Sequence, residues 1–330
     1  MRRFIFADGE NIYKTIFADV DARVIPFPFK GFHKGNNIHW LLYRMTHSKK
    51  LGYPFFRLWH RFVLFKNGVR KGDELLVLSN AVWSFLWDNS LLREAKKKKI
   101  PIILLIVDSI CFFEGDRRTK IDEAASIADL VYTFDKNDAQ HYGWHYTSSY
   151  YSDVSYINPD EDKTDVFCAI RNGGRIEKLV RIYDLLKARD IHCNFYITGC
   201  SEEELTLYNR DGIVFNRFLP YEKMLSKAAS ANVILELVKH NQQGRTLREF
   251  EAVLLKKRLL TDYKDIFTFP YYNPDHVKYF DDDKFEEAFN DIPVNWFKSG
   301  EIADYSYQND FSPIHLFDEI EKLLKQDHIQ

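Results

Sequence analysis

A recurring pair of segments constrains this chain more than any other feature: a short run of apolar residues, then a longer stretch with helical spacing. Residues 100–107, Ile-Pro-Ile-Ile-Leu-Leu-Ile-Val, show the plainest such run. It lacks the polar–apolar alternation of a half-exposed strand and reads as a strand covered on both faces. Strands are expected at 3–7, 74–78, 100–107 and 130–134, with helices at 90–98 and 120–127 and another capped by Asp135. The pattern then restarts, with strands at 165–170, 193–198, 213–215, 233–237 and 258–261. Helices at 175–188, 202–208, 221–229 and 246–255 separate them. Strands divided by helices imply parallel sheets joined by right-handed crossovers. The expected fold class is therefore α/β, with two Rossmann-like domains facing a cleft.

The division falls at Asn158-Pro159-Asp160-Glu161-Asp162-Lys163, a polar stretch with no apolar periodicity. An N-terminal domain of 1–157, a linker of 158–164 and a C-terminal domain of 165–312 follow. Residues 313–330 form a last helix, with Leu316, Ile320, Leu323 and Leu324 on one stripe, expected to pack back on the N-domain. A length of 330 residues suits two domains. With 45% hydrophobic residues, 28% charged and a net charge of −2, the chain is neither disordered, nor collagen-like, nor a globally basic nucleic-acid binder.

The charge is unevenly placed. Residues 22–72 contain no Asp or Glu and eleven Lys or Arg, which leaves −13 for the rest of the chain. Eleven aromatics, among them Trp40, Phe55, Phe56, Trp59, Phe62 and Phe65, share the segment. Cations meet anionic headgroups while Trp and Phe enter the layer beneath, so a membrane or lipid-linked partner is expected there. A solvated basic face over an aromatic core is the competing reading, and nucleic acid is not expected. The longest apolar run has eight residues against the roughly 20 needed to cross a bilayer. Asp8 and Glu10 interrupt the N-terminus before any signal-like stretch. A cytoplasmic protein, peripheral at the inner face of the cell membrane, is the expectation. Cys111, Cys168, Cys193 and Cys200 form no Cys-x-x-Cys pair and read as reduced thiols.

Residues 233–261 carry the chemistry: strand, polar loop with Gly244, helix, strand. A glycine at the mouth of a helix lets backbone approach an anion, and the free N–H groups with the helix dipole hold phosphate. Arg245 and Thr246 add a charge and a hydroxyl. Glu251, five residues past Thr246, is placed to bond a ribose hydroxyl pair. A loop glycine with no ligand remains the other reading of Gly244. Two Asp-rich strings are read as structural and not as metal sites: Asp19-Val20-Asp21, and Asp281-Asp282-Asp283 as the N-cap of a helix at 285–289.

The stretch Gln243-Gly244-Arg245-Thr246-Leu247-Arg248-Glu249-Phe250-Glu251 resembles the donor segment of GT-B glycosyltransferases, in which E-G-x-G-x-x-x-x-E precedes a strand. It keeps the first Gly and the last Glu, and has Gln243 and Thr246 in place of the first Glu and second Gly. It is similar, more closely, to bacterial capsule and lipopolysaccharide transferases with a Q-x-G-x-T-x-R-x-x-E loop. Residues 131–143 and 167–199, with the Gly173-Gly174-Arg175 turn, share that likeness, which covers about 130–330.

The resemblance implies that Glu251 holds the donor ribose and that Gln243, Gly244, Arg245 and Thr246 face the pyrophosphate. Arg171, Arg175 and Arg248 would neutralise the diphosphate, guanidinium being suited to bidentate phosphate contact. No metal and no cofactor are then expected, the nucleotide sugar being the substrate. If the reaction inverts the anomeric centre, a base must activate the acceptor hydroxyl. Asp108 after the strand 100–107 comes first, then Asp8, then Glu10. The implied activity is metal-independent hexosyl transfer from a nucleotide sugar, a UDP-sugar first, to a glycan or lipid-linked acceptor in bacterial surface polysaccharide synthesis. A two-lobed α/β protein that binds carbohydrate or nucleotide without turnover is the alternative.

Overall fold

The computed structural model describes residues 2–7, 10–26, 67–85, 89–148, 150–239, 244–281 and 284–327. The chain packs as two units: Met1–Ser152 with Gln243–Arg245 and Phe311–Gln330, and Asp153–Gln242 with Thr246–Asp310. Most of the basic segment, residues 27–66, lies outside the described residues.

The first unit contains β1 (Arg3–Ala7), β2 (Ala22–Pro26), β3 (Glu74–Leu78), β4 (Ile102–Ile106), β5 (Leu130–Thr133) and β6 (His145–Tyr146). They form one parallel sheet in the order β2-β1-β3-β4-β5-β6. Every residue of β3 and β4 is buried, because helices cover the sheet. Those helices include α1 (Glu10–Ile16), α2 (Ser79–Phe85), α3 (Ser90–Lys97), α4 (Gly115–Ile127) and α5 (Lys136–Tyr142). Phe4, Phe6, Leu75, Val77, Leu104 and Ile106 of the strands meet Leu91, Leu92 and Ile121 of the helices in one core. Asp135 caps α5 as the sequence implies: its carboxylate accepts from the amides of Asn137 at 2.9 Å and Asp138 at 3.2 Å.

The second unit repeats the plan with β7 (Thr164–Arg171), β8 (Cys193–Thr198), β9 (Ile213–Phe215), β10 (Ala231–Glu236), β11 (Arg258–Thr261) and β12 (Val277–Tyr279). Again all pairs are parallel, in the order β12-β11-β10-β7-β8-β9. Its helices are α6 (Ile176–Ala188), α7 (Glu202–Tyr208), α8 (Tyr221–Ser230), α9 (Leu247–Leu254), α10 (Phe285–Asp291) and α11 (Val294–Lys298). Leu179, Ile182 and Leu186 recur at helical spacing along α6 and pack with Val166, Phe195, Ile197, Val233 and Leu235 of the strands. A Ser201–Glu204 capping box starts α7.

The last helix, α12 (Pro313–Asp327), belongs to the first unit. Of the apolar stripe read from the sequence, Leu316, Ile320 and Leu324 are buried and Leu323 is half-buried. Polar contacts hold its other side. Tyr132 donates to the Glu319 carboxylate at 3.2 Å, and Arg3 hydrogen-bonds Glu321 while its guanidinium lies 4.8 Å from the centre of the Phe317 ring. The same guanidinium is 3.5 Å from Glu74, a carboxylate buried at the start of β3. Burial raises the pKa of Glu74 and Arg3 opposes that shift. Arg3→Ala would leave Glu74 buried without its cation and is expected to cost about 3 kcal/mol. Adding Glu74→Gln should recover part of the loss. Urea unfolding of the single and double variants measures both values, and equal stability of the two would show that the pair is not coupled.

Candidate functional site

Parallel sheets present all their strand C-termini along one edge, and ligands bind there, beside the strand at which the chain reverses its direction of travel across the sheet. In the second unit that point lies between β7 and β10: the chain moves from β7 to β8 and β9, then returns to place β10 on the other flank. The turn after β7 and the segment after β10 hold most of the donor-site residues named from sequence.

The turn is Asn172-Gly173-Gly174-Arg175. Both glycines have positive φ, +50° and +83°, which a side chain would strain. The Asn172 side chain is buried, and its oxygen accepts from the amides of Arg175 at 3.2 Å and Ile176 at 3.1 Å. It thereby caps α6, whose first residue is Ile176 instead of the expected 175. Arg175 folds back over the turn: Nε donates to the Asn172 carbonyl at 3.1 Å, and the terminal nitrogens donate to the carbonyls of Arg171 and Leu237. Leu237 follows β10, so Arg175 spans the gap between the two strand ends. Burial lowers its pKa. Arg171 closes β7 with its side chain exposed.

Across that gap a denser network surrounds the start of α9. Thr246 is the N-cap, its hydroxyl oxygen accepting from the Arg248 amide at 3.0 Å. The same hydroxyl donates to Glu236, the last residue of β10. Glu236 stands opposite Thr261 in the β10–β11 register, and its second oxygen accepts from the Thr261 hydroxyl at 2.5 Å. Burial pushes the Glu236 carboxyl up to about 7, against the two threonine bonds and Arg248, while Asp262 adds to the rise.

One turn further along α9, Glu251 is fully buried. One of its oxygens accepts from Tyr221 at 2.8 Å and the other from Arg248. Arg248 also donates to the Ala169 carbonyl of β7 at 3.3 Å. A ribose hydroxyl could reach Glu251 only by displacing Tyr221 or Arg248.

Arg175, Thr246, Arg248 and Glu251 are therefore assembled along one strand edge, and Glu236 and Tyr221 join them. Sequence reading left both of these out: Glu236 lies within an apolar strand, and Tyr221 is the first residue of a helix. Gly244 and Arg245 group with the first unit. Gly244 is buried where a Cβ would stand 1.8 Å from the Phe134 ring, and Arg245 is half-buried. Gln243 lies outside the described residues.

The candidate bases belong to the first unit. Asp108 follows β4 and is half-buried, beside Ser109, whose hydroxyl donates to the Asp135 carboxylate at 2.5 Å. Glu10 opens α1, and Asp8 lies outside the described residues. Of the Asp-rich strings, Asp19 accepts from the Ser312 hydroxyl at 2.9 Å. The cap of α10 is Lys284 and not the expected Asp cluster. Lys284 donates its amide to the Asp281 carbonyl at 3.3 Å. Asp282 and Asp283 lie outside the described residues.

The chain matches no protein-family model and no curated protein. Solved structures do resemble it. One is an alpha-glucosyltransferase in complex with UDP-glucose and DNA containing an abasic site, with a TM-score of 0.58, 14% identity, 97% of this chain covered and 99% of that one. Another is a putative UDP-N-acetylglucosamine 2-epimerase from Listeria monocytogenes, with a TM-score of 0.54, 8% identity, and 99% and 97% covered. At these identities the likeness is one of fold. The fold is α/β, two six-stranded parallel sheets with helices, of the glycosyltransferase GT-B type. Among the described residues no helix is long and apolar enough to cross a membrane.

The pairing of Glu251 with Arg248 carries a consequence for stability. Glu251→Ala would leave Arg248 against β7 without its carboxylate, at an expected cost of about 3 kcal/mol. Glu251→Gln keeps an acceptor for Tyr221 and should cost less. Guanidinium unfolding of the two variants measures the difference, and equal losses would deny the ion pair a role in the fold.

Proposed function

We propose that the chain is a glycosyltransferase that takes its sugar from a nucleotide donor bound at the C-terminal edge of the second unit. One observation carries the reading: Arg175, Thr246, Arg248 and Glu251 converge at the point where strand order reverses between β7 and β10. That is where a parallel α/β sheet accepts a nucleotide. Arg171 and Arg175 supply guanidinium charge for the diphosphate, and the first-turn amides of α9 with the helix dipole add to it. Such groups stabilise the diphosphate as it leaves, so transfer proceeds without a metal. Glu251 takes the ribose hydroxyls once Arg248 swings from its carboxylate to the incoming phosphate, one cation serving two anions in turn.

UDP is the first donor base to test, since both structural neighbours carry UDP-sugars in their names. A hexosyl group passes to a hydroxyl of a glycan or lipid-linked acceptor, as in bacterial surface polysaccharide assembly. Asp108, Asp8 and Glu10, in that order, are the groups to remove that hydroxyl's proton if the anomeric centre inverts. The cationic, aromatic segment 22–72 brings the protein to an anionic membrane surface where a lipid-linked acceptor is held.

Thermal unfolding with UDP, GDP and CMP tests the donor. UDP at about a hundred times its Kd is expected to stabilise the fold by about 2.7 kcal/mol, read as a higher Tm. Incubation with a panel of nucleotide sugars should release nucleotide faster when acceptor glycan is present. Stabilisation by none of the three nucleotides would contradict the proposal, and release indifferent to acceptor would identify a hydrolytic reaction instead.

A further inference from the structure

We propose that Glu236 is a positioning residue: its ionised carboxylate, gripping the Thr246 and Thr261 hydroxyls, holds the start of α9 in the geometry that binds the donor, and protonating it loosens the site. The last step rests on the donor reading above.

The geometry fits an ionised carboxylate. Thr246 receives the Arg248 amide at 3.0 Å and Thr261 receives the Tyr263 amide at 3.0 Å, so each hydroxyl oxygen is oriented by a backbone donor and turns its own proton to Glu236. Both carboxylate oxygens are thereby engaged as acceptors. A protonated Glu236 brings an O–H of its own into this arrangement, so one threonine hydroxyl must accept where it had donated, and charge-assisted bonds give way to weaker neutral ones. Since Glu236 stands beside Thr261 in sheet register, the strand side is braced. The Thr246 side is the N-cap of an eight-residue helix. Weakening of the Thr246 bond would therefore loosen the helix start, which carries Arg248 and Glu251, before it loosened the sheet.

The charged surroundings of Glu236 are mixed. Asp262 at the end of β11 raises its proton affinity, Arg248 on α9 lowers it, and the Cys168 thiol approaches from β7. Lys178 on α6 pairs with Asp262. Burial dominates and pushes the carboxyl up from 4.5 to about 7. The sign for folding follows. A group whose pKa rises on folding lends stability that is complete below pH 4.5 and is lost as pH climbs through about 7. Donor binding requires the ionised form and moves the other way. A carboxylate that mattered only to stability would not produce opposite trends.

The test uses the full chain, with UDP as the probe, for wild type, Glu236→Gln and Thr261→Val. Hydrogen exchange of the α9 amides, corrected for the intrinsic effect of pH, is read without nucleotide at pH 6 and pH 8. Calorimetry reads UDP affinity at the same two values. In the wild type, exchange at the start of α9 should be about tenfold faster at pH 6 and UDP binding about tenfold weaker, as expected for losing a hydrogen bond to a charged group. Glu236→Gln should show the pH 6 behaviour at both values, with its stability less sensitive to pH. Thr261→Val removes one donor to the carboxylate and should shift the wild-type transition to higher pH, which keeps the proposal open to test if Glu236→Gln folds poorly. Exchange that ignores pH in the wild type would overturn the role of Glu236. Exchange that responds, with UDP bound at neither pH, would keep Glu236 as the brace of α9 and overturn the donor reading. UDP affinity that is flat with pH while exchange responds would overturn the link between the two.

Discussion

A parallel sheet offers chemistry one edge. In each six-stranded sheet all strands run the same way, so the turns that follow them gather at the C-terminal side, and everything argued for the second unit depends on that gathering. The β7 turn and the start of α9 are about 70 residues apart in sequence yet share hydrogen bonds: Arg175 reaches the Leu237 carbonyl and Arg248 reaches the Ala169 carbonyl. No local motif could bring those groups together. The strand order does.

Within the network, some charges are paired and one is not. Glu251 faces Arg248, Lys178 faces Asp262, and Glu236 is served by two hydroxyls in place of a cation. Full burial of Glu236 without a paired charge is what lifts its pKa toward neutrality. The same economy makes Arg248 the pivot of the proposed donor site, because the group that neutralises Glu251 in the free protein is also a candidate for the diphosphate.

Much of the fold was legible beforehand, and what was missed has physical causes. The strands at 74–78, 193–198, 213–215 and 258–261 and the helix at 202–208 have the bounds read from the sequence, since buried strands are unbroken apolar runs and a capping box marks the helix start. Ala22–Pro26, His145–Tyr146 and Val277–Tyr279 were not expected as strands. All three lie at sheet edges, where a short segment carries weak hydrophobic signal, and Ala22–Pro26 also contains Arg23 and ends in proline. At the site, Thr246 and Glu251 could be named from their places on a helix, and Arg248 from the resemblance. Glu236 could not, because its meaning comes from standing beside Thr261 across two strands, a register that sequence separation hides. Nor did spacing show that Glu251 already has Tyr221 and Arg248 on its oxygens.

The central claim is a place: a nucleotide diphosphate beside the ends of β7 and β10. Two hollows in the protein lie elsewhere, one lined by Arg258, Lys278, Trp296 and Lys298 and another by Lys14, Phe17 and Arg23. Electron density from crystals grown with UDP decides among them. The account expects diphosphate oxygens within hydrogen-bond reach of Arg171 or Arg175 and of the first amides of α9, with Glu251 turned to the ribose. UDP ordered in either of the other hollows, with the Arg248–Glu251 pair undisturbed, would contradict it.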